Sequence, residues 1–156
     1  MIESIQNLIL GLFVGPGGYV GLFFYSALTT TILPGAPEAA AIFVWKIGKS
    51  AVTTIAILTL GNYFGTVINY YIGYTGHDWL LVKYFRIKKE RIKRAHRLFE
   101  RYGPPILLLS WIPIIGDPLT FVPGFVRYNF FKFSFYTITG KLIRYIGLYY
   151  LVSRWV

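Results

Sequence analysis

Leu33-Pro34-Gly35-Ala36-Pro37-Glu38, followed 79 positions later by Ile112-Pro113-Ile114-Ile115-Gly116-Asp117-Pro118, are the two stretches that decide how this chain folds. Each interrupts an apolar run and each ends on or beside a carboxylate. Tyr19–Leu33 leads into the first and Ala39–Trp45 leaves it; Ile106–Ile112 leads into the second and Leu119–Val126 leaves it. Proline removes a backbone donor and clashes with the preceding turn, so two prolines beside a glycine end a helix. Both stretches therefore read as helix, break, helix. Within lipid such a break survives only when packed in protein or facing a wet cavity. The pattern predicts two re-entrant hairpins of half-helices, with Pro34, Gly35, Pro37, Pro113, Gly116 and Pro118 shaping the tips. Short helices joined by a surface turn are the plainer alternative.

The rest of the chain supports a membrane setting. Of its 156 residues 55% are hydrophobic and 14% charged, against about 25% charged in an average soluble chain. Ser50–Gly73 and Phe131–Ser153 each run just over twenty residues, enough at 1.5 Å per residue for a hydrocarbon core ~30 Å thick. At the same offset of 79, Pro34 falls on Pro113, Glu38 on Asp117, Gly61 on Gly140 and Tyr70-Tyr71 on Tyr149-Tyr150. The chain reads as a duplication: repeat 1 over about 19–75 and repeat 2 over about 103–153, within one membrane domain spanning 1–156.

Charge sets the expected orientation. Nine of the sixteen basic residues lie between Lys83 and Arg101, with only Glu90 and Glu100 to offset them. A basic block between apolar halves belongs in the cytoplasm by the positive-inside rule, and that placement, despite a net charge of +10, argues against nucleic acid. Lys46, Lys49 and Arg154 then lie outside, and the two halves are inverted relative to each other, as in transporters. Ile87, Ile92, Ala95, Leu98, Phe99 and Tyr102 recur at helical spacing within about 77–102. This predicts either a basic amphipathic helix on the anionic leaflet or a solvated linker helix. The N-terminal Met1-Ile2-Glu3-Ser4 has no basic n-region or small-residue cleavage site, so no signal peptide is expected; residues 1–14 read as an interfacial element.

Four ionisable residues sit deep in apolar context: Glu38, Asp117, Lys141 and Arg144. An unpaired charge at a helix centre costs at least ~2.5–3.5 kcal/mol on insertion scales. Lys141 and Arg144 are three apart, hence on one helix face, and with the two acids make a neutral set. Two readings stand: a salt-bridge network that pins the hairpins, and a polar pocket whose bases hold an anionic group. Asn62 and Asn69, seven apart on one face, either line that pocket with Ser110 or hydrogen-bond another helix. Cysteine is absent, excluding disulfides and thiol catalysis. Two scattered histidines, His77 and His96, form no metal-ligand pattern, and no cofactor is expected. No Gly-x-Ser-x-Gly elbow, Walker loop or His-Glu-x-x-His motif occurs, and Ser26, Ser50, Ser110 and Ser134 have no intramembrane histidine. An enzyme is not expected.

As a set, Leu33–Glu38, Thr59-Leu60-Gly61-Asn62, Asn69-Tyr70-Tyr71-Ile72-Gly73, Phe99-Glu100-Arg101-Tyr102-Gly103, Ser110–Pro118 and Gly140-Lys141-Leu142-Ile143-Arg144-Tyr145 resemble the DedA family of SNARE-associated, VTT-domain membrane proteins, most closely its short YqaA-like branch. The resemblance implies an all-α integral membrane protein of the cytoplasmic membrane. Two inverted repeats, each a broken re-entrant hairpin followed by a transmembrane helix, would be joined by the basic cytoplasmic helix. It also implies translocation of an anionic lipid of phospholipid or polyprenyl-phosphate type, dependence on the proton-motive force, and an essential role for the first-hairpin acid, here Glu38. The arginines usual in the second hairpin of the larger branch fall here on Ser110 and Gly116, with Asp117 added; Lys141 and Arg144 would supply the missing positive charge. Membrane lipids are the expected partners, and a homo-oligomer is left open. A non-transporting assembly factor is the rival function.

Overall fold

The computed structural model describes residues 17–31, 36–76, 88–112 and 116–154, the side chains of Thr31 and Asp117 excepted. Within them the chain is helical: α1 (Gly18–Thr31), α2 (Pro37–Lys46), α3 (Ala51–Tyr74), α4 (Lys89–Tyr102), a 3-10 helix (Pro104–Leu109), α5 (Gly116–Phe125) and α6 (Phe130–Val152). Residues 1–16, Pro34, Gly35, His77, Ile87 and Pro113 lie outside the described residues.

The two long helices start where their caps allow. The Ser50 side chain accepts from the Thr53 amide and opens α3, and the Asn129 side chain does the same for α6 by accepting from Lys132. Helix bounds repeat with the offset of the sequence: α2 maps onto α5 residue for residue, and α3 onto α6 to within one residue at the C-terminus. The leading half-helices differ. Where α1 is a regular helix, Pro104 and Pro105 at the first turn of the second half leave a six-residue 3-10 helix instead of the expected Ile106–Ile112 helix.

Two expected boundaries shift. Helix α2 begins at Pro37, whose missing N–H costs nothing at the first helical position, so Glu38 sits on the first turn of a helix and not in the break. Helix α5 likewise begins at Gly116, which brings Asp117 and Pro118 into its first turn.

Helices α3 and α6 run antiparallel. Tyr70 packs on Phe133 with ring centroids 4.8 Å apart, Tyr63 donates to Ser134 Oγ at 2.7 Å, and Asn62 meets Lys141 and Tyr145. Around this pair the halves fold back. Helix α1 starts with Tyr19 beneath the Lys49 ammonium, 4.7 Å from the ring centroid, and Lys49 closes the turn after α2. The chain thus leaves and returns to one end of α3. In the second half Leu107 packs with Tyr70 and Phe133, and after α5 the Tyr128 carbonyl accepts from Tyr70 at 2.6 Å, so that excursion begins and ends at the opposite end.

Along the inner faces of the long helices polar side chains are buried while large apolar ones face outward. Val52, Leu60, Phe64 and Ile68 of α3 and Phe131, Phe135 and Leu151 of α6 are exposed, whereas Thr59, Asn62, Thr66, Asn69, Thr137 and Lys141 are buried. An apolar outside over a polar inside is the arrangement lipid favours. Among the described residues α3, with mean hydropathy 1.5, is the helix long and apolar enough to cross a membrane by composition. Helix α6 is nearly as long, at 23 residues, but Lys141 and Arg144 lower its hydropathy.

Helix α4 departs from the expected membrane-surface element. Its apolar stripe is spent inward: Ala95 and Phe99 are buried and pack with Tyr70, Leu107, Leu119, Val122 and Phe133. Leu98 and Ile92 are half-buried and Tyr102 is exposed. What α4 presents outward is a face of Arg91, Lys93, Arg94, Arg97 and Arg101, able to attract anionic headgroups without inserting among acyl chains.

Close approach of backbones holds the leading segments to the long helices. A Cβ at Gly61 would collide with the Phe23 carbonyl, and one at the duplicated position, Gly140, with the Leu108 carbonyl; Gly147 on the same helix faces open space. Gly140→Ala should therefore lower stability by about 1–3 kcal/mol, the usual cost of overpacking. Gly147→Ala should leave it unchanged or raise it by up to ~1 kcal/mol through helix propensity. Thermal melting of the two variants in detergent distinguishes them.

Candidate functional site

Of the four charges singled out in apolar context, two from different elements are brought together as a pair. Glu38, on the first turn of α2, reaches across to Arg144 of α6, Oε1 against Nη2. Their side chains keep 29% and 17% exposure, so the pair is neither sealed nor solvated. Arg144 lies eight residues before the end of α6, roughly 12 Å along its axis at 1.5 Å per residue. The guanidinium also lies 5.6 Å from the Tyr145 ring centroid.

Lys141, one turn earlier, has a different environment. It is 2% exposed, and its ammonium donates to Asn62 Oδ1 of α3. Asn62 completes its valence by donating from Nδ2 to the Tyr145 hydroxyl at 3.5 Å. Lys141 and Asn62 are themselves 79 apart, so the same position of the two halves meets itself where α3 crosses α6. Lys141 and Arg144 thus share a face, as their spacing requires, but serve different neighbours.

Asn69 ties three elements: Nδ2 donates to the Thr30 carbonyl at 3.3 Å and to Thr120 Oγ1 at 3.0 Å. Asn62 and Asn69 are both buried on the inner face of α3 and both hydrogen-bond other helices. Ser110, at the end of the 3-10 helix, is buried as well. Its Oγ, together with Asn69 Oδ1 and Thr59 Oγ1, finds no hydrogen-bond partner among the described residues. Of the tip residues, Pro37, Gly116 and Pro118 are buried, while Pro34, Gly35 and Pro113 lie outside the described residues. Asp117 takes the second position of α5, as Glu38 does of α2.

Sequence reasoning missed Tyr145, Ser26 and the threonines. Tyr145 is fully buried and its hydroxyl meets both Asn62 and Ser26, and Ser26 donates to the Leu58 carbonyl at 2.8 Å. Thr59, Asn62, Thr66 and Asn69 follow at spacings of three, four and three, the period of one helix face. That polar stripe in an apolar helix was the available signal.

An all-helical chain with an apolar exterior, a polar seam between two antiparallel long helices and an acid–base pair bridging a short helix and a long one fits a membrane protein. The family model for the VTT domain matches residues 4–154, and the chain belongs to this family, the DedA family. An uncharacterized protein of Haemophilus influenzae is 33% identical over 138 residues, covering 83% of this chain and 84% of its own. The inner membrane protein YqaA of Escherichia coli is 30% identical over 130 residues, covering 81% and 85%. A more distant relative, undecaprenyl phosphate transporter A of Staphylococcus aureus, is 26% identical over 149 residues, covering 87% and 73%. No solved structure matches.

The Asn62–Lys141 contact is testable by a double-mutant cycle. Asn62→Leu removes one partner of a buried ammonium and should destabilise by about 1–3 kcal/mol. Lys141→Met in the same chain should recover most of that loss, giving a coupling energy of about 0.5–3 kcal/mol from detergent melting.

Proposed function

We propose that the chain carries the phosphate-bearing head of an anionic lipid across the bilayer. The observation that carries this reading is the Glu38–Arg144 pair: a carboxylate on a broken helix holds a guanidinium of the long helix in a partly open position. Arg144 presents a planar fork suited to phosphate, and Lys141 adds positive charge one turn away. When phosphate engages Arg144, Glu38 loses its partner and takes a proton, which keeps the site neutral at each stage. Asp117 is the corresponding group on the second broken helix, and Asn62, Asn69 and Ser110 line the passage with amide and hydroxyl groups. The relative named as an undecaprenyl phosphate transporter supports a lipid phosphate as the substrate class. No nucleophile and base are paired among the described residues, so the reading is transport and not catalysis.

The architecture proposed with it is two inverted repeats, each a re-entrant hairpin followed by a spanning helix. The coinciding helix bounds, the antiparallel α3 and α6, and the return of each excursion to its own end of the pair all support it. With the arginines of α4 in the cytoplasm, the turn between α2 and α3 faces outward. A cysteine introduced at Ile47 should then react with an impermeant thiol reagent added outside intact cells, cleanly, since the chain has no cysteine of its own. Labelling from the cytoplasmic side alone would reverse the orientation.

A structural factor without transport is the competing reading, favoured by the fact that Lys141 and Arg144 both have protein partners. Lipid-flip assays in liposomes separate the two. On the transport reading Glu38→Gln abolishes flipping with little loss of folded protein, and Arg144→Lys weakens it by about tenfold or more through loss of the bidentate fork. On the structural reading Glu38→Gln and Arg144→Gln each destabilise the fold, by less than the ~3–5 kcal/mol of a fully buried pair, and the loss is read as a lowered melting temperature. The double variant would then restore stability and cellular function together, and that joint rescue would rule out the transport site.

A further inference from the structure

A second polar feature lies at the far end of the molecule from α4. The turn between α2 and α3 and the last turn of α6 enclose a cavity of about 270 Å³ lined by Trp45, Lys49, Ala51, Tyr149, Val152 and Ser153. Ala51 opens α3, whereas α4 packs near Tyr70 of the same helix, about 29 Å away at 1.5 Å per residue. The cavity therefore opens at one membrane boundary and the basic helix occupies the other.

Its walls are rigidly set. Gly48 takes a left-handed conformation, φ +81°, so its amide reaches the Trp45 carbonyl at 3.0 Å and the Lys49 amide reaches Val44 at 3.2 Å. This closes α2 in the manner of a glycine C-cap and delivers Lys49 to the cavity edge. There the ammonium rests over the Tyr19 ring, 4.7 Å from its centroid. The Trp45 and Tyr149 rings pack edge to face, 5.2 Å apart. The Trp45 indole N–H is buried and has no acceptor among the described residues, an expensive state for a donor in apolar surroundings.

The lining has one formal charge, Lys49, and no carboxylate, and the first turn of α3 beside it carries no acidic residue either. A cation and the positive end of a helix at the edge of one cavity favour an anion. The volume falls just under the ~300–1,000 Å³ of ordinary small-molecule sites, room for a headgroup but not for acyl chains. Trp and Tyr at a membrane boundary are placed where chains and heads divide.

We propose that this cavity is a docking vestibule for the phosphate of an anionic lipid, at the membrane face opposite α4, distinct from the Glu38–Arg144 site. Lys49 supplies the counter-charge, the Trp45 and Tyr149 rings wall the headgroup, and the acyl chains remain in the bilayer against the apolar flank of α6. The role as vestibule rests on the transport reading; the binding itself does not, and it is measured without transport.

The test uses the full chain in detergent with Trp79, Trp111 and Trp155 changed to Phe, so that Trp45 alone reports. Dihexanoyl phosphatidic acid should shift Trp45 emission saturably, while dihexanoyl phosphatidylcholine and inorganic phosphate should bind at least tenfold more weakly. Lys49→Gln should weaken phosphatidic acid by about tenfold, the effect of losing a hydrogen bond to a charged group; Lys46→Gln, exposed one turn away, should leave it unchanged. Native mass spectrometry of Lys49→Gln in the otherwise unaltered chain repeats the comparison without the triple substitution, and it should lose occupancy. Equal binding by the Lys49→Gln and parent chains overturns the vestibule. So does inorganic phosphate binding as tightly as the lipid, which would mark a free-anion site. Loss of flipping in Glu38→Gln, with the tenfold effect of Lys49→Gln on phosphatidic acid binding still seen in that background, separates the fate of this proposal from that of the transport site.

Discussion

A lysine ammonium held at 2% exposure between two apolar helices must find oxygen or lose its charge, and the oxygen it finds is Asn62 Oδ1 on the opposite long helix. Much of the structure follows from satisfying that contact. It fixes the register of α6 against α3, because a shift of one residue along either helix turns the pair out of the seam. It places Tyr145 against the amide nitrogen of the same asparagine. The antiparallel pair so locked offers each half a flank. Helix α1 lies against α3 at Gly61, and the 3-10 helix lies against α6 at Gly140. Lipid provides no hydrophobic force to press helices together, so small residues and buried polar bonds have to do it.

Helices α1 and α5 are tied to the same polar seam. Asn69 bonds the Thr30 carbonyl just before the first break and the Thr120 hydroxyl just after the second. One asparagine on α3 thereby ties both interrupted segments to the central pair. Helix α4 is held by a separate, conventional core, with Phe99 and Ala95 packed against Tyr70 and Leu107. Its dense positive charge therefore sits on a fixed support at one end of the seam.

Much of this was legible in the sequence, and the failures have physical causes. The long helices came out within a residue of their observed bounds because Ser50 and Asn129 are capping residues next to apolar runs. The duplicated break was visible because prolines and acids are rare in such stretches. Boundaries at the tips were missed by two or three residues, since proline at a first helical turn starts a helix as readily as it ends one. The leading segment of the second half was expected to be a helix and is 3-10, a difference carried by two adjacent prolines. Among site residues, the grouping of Glu38 with Arg144 followed from charge alone. The bond of Lys141 to Asn62 did not, because the duplication had been used to align the halves and not to ask which equivalent positions touch. Tyr145 was hidden for another reason: an aromatic residue on a membrane helix is indistinguishable by type from its lipid-facing neighbours, and only its contacts with Asn62 and Ser26 single it out.

The two cations of α6 differ in what their surroundings permit. Lys141 is enclosed, next to Gly140, where the Leu108 backbone of the same half touches, and dislodging it would undo the crossing that sets the register. Arg144 keeps 17% exposure, and its partner Glu38 stands on a short helix that begins at a break, with 29% exposure of its own. A bond between a long helix and a short, separately anchored one can open without unpacking the central pair. The cost of opening is that of parting two half-desolvated charges, which a phosphate oxygen at Arg144 and a proton at Glu38 would offset. On the proposed transport reading Lys141 would act at a distance, raising the local potential that draws the anion in, while Arg144 would make the contact that forms and breaks. The duplication places Gly65 where α3 would need the counterpart of Arg144, so the two halves, alike in their helix bounds, are unlike in charge. In the observed pair the first half supplies the acid, Glu38, and the second the base, Arg144, so the contact joins the two halves.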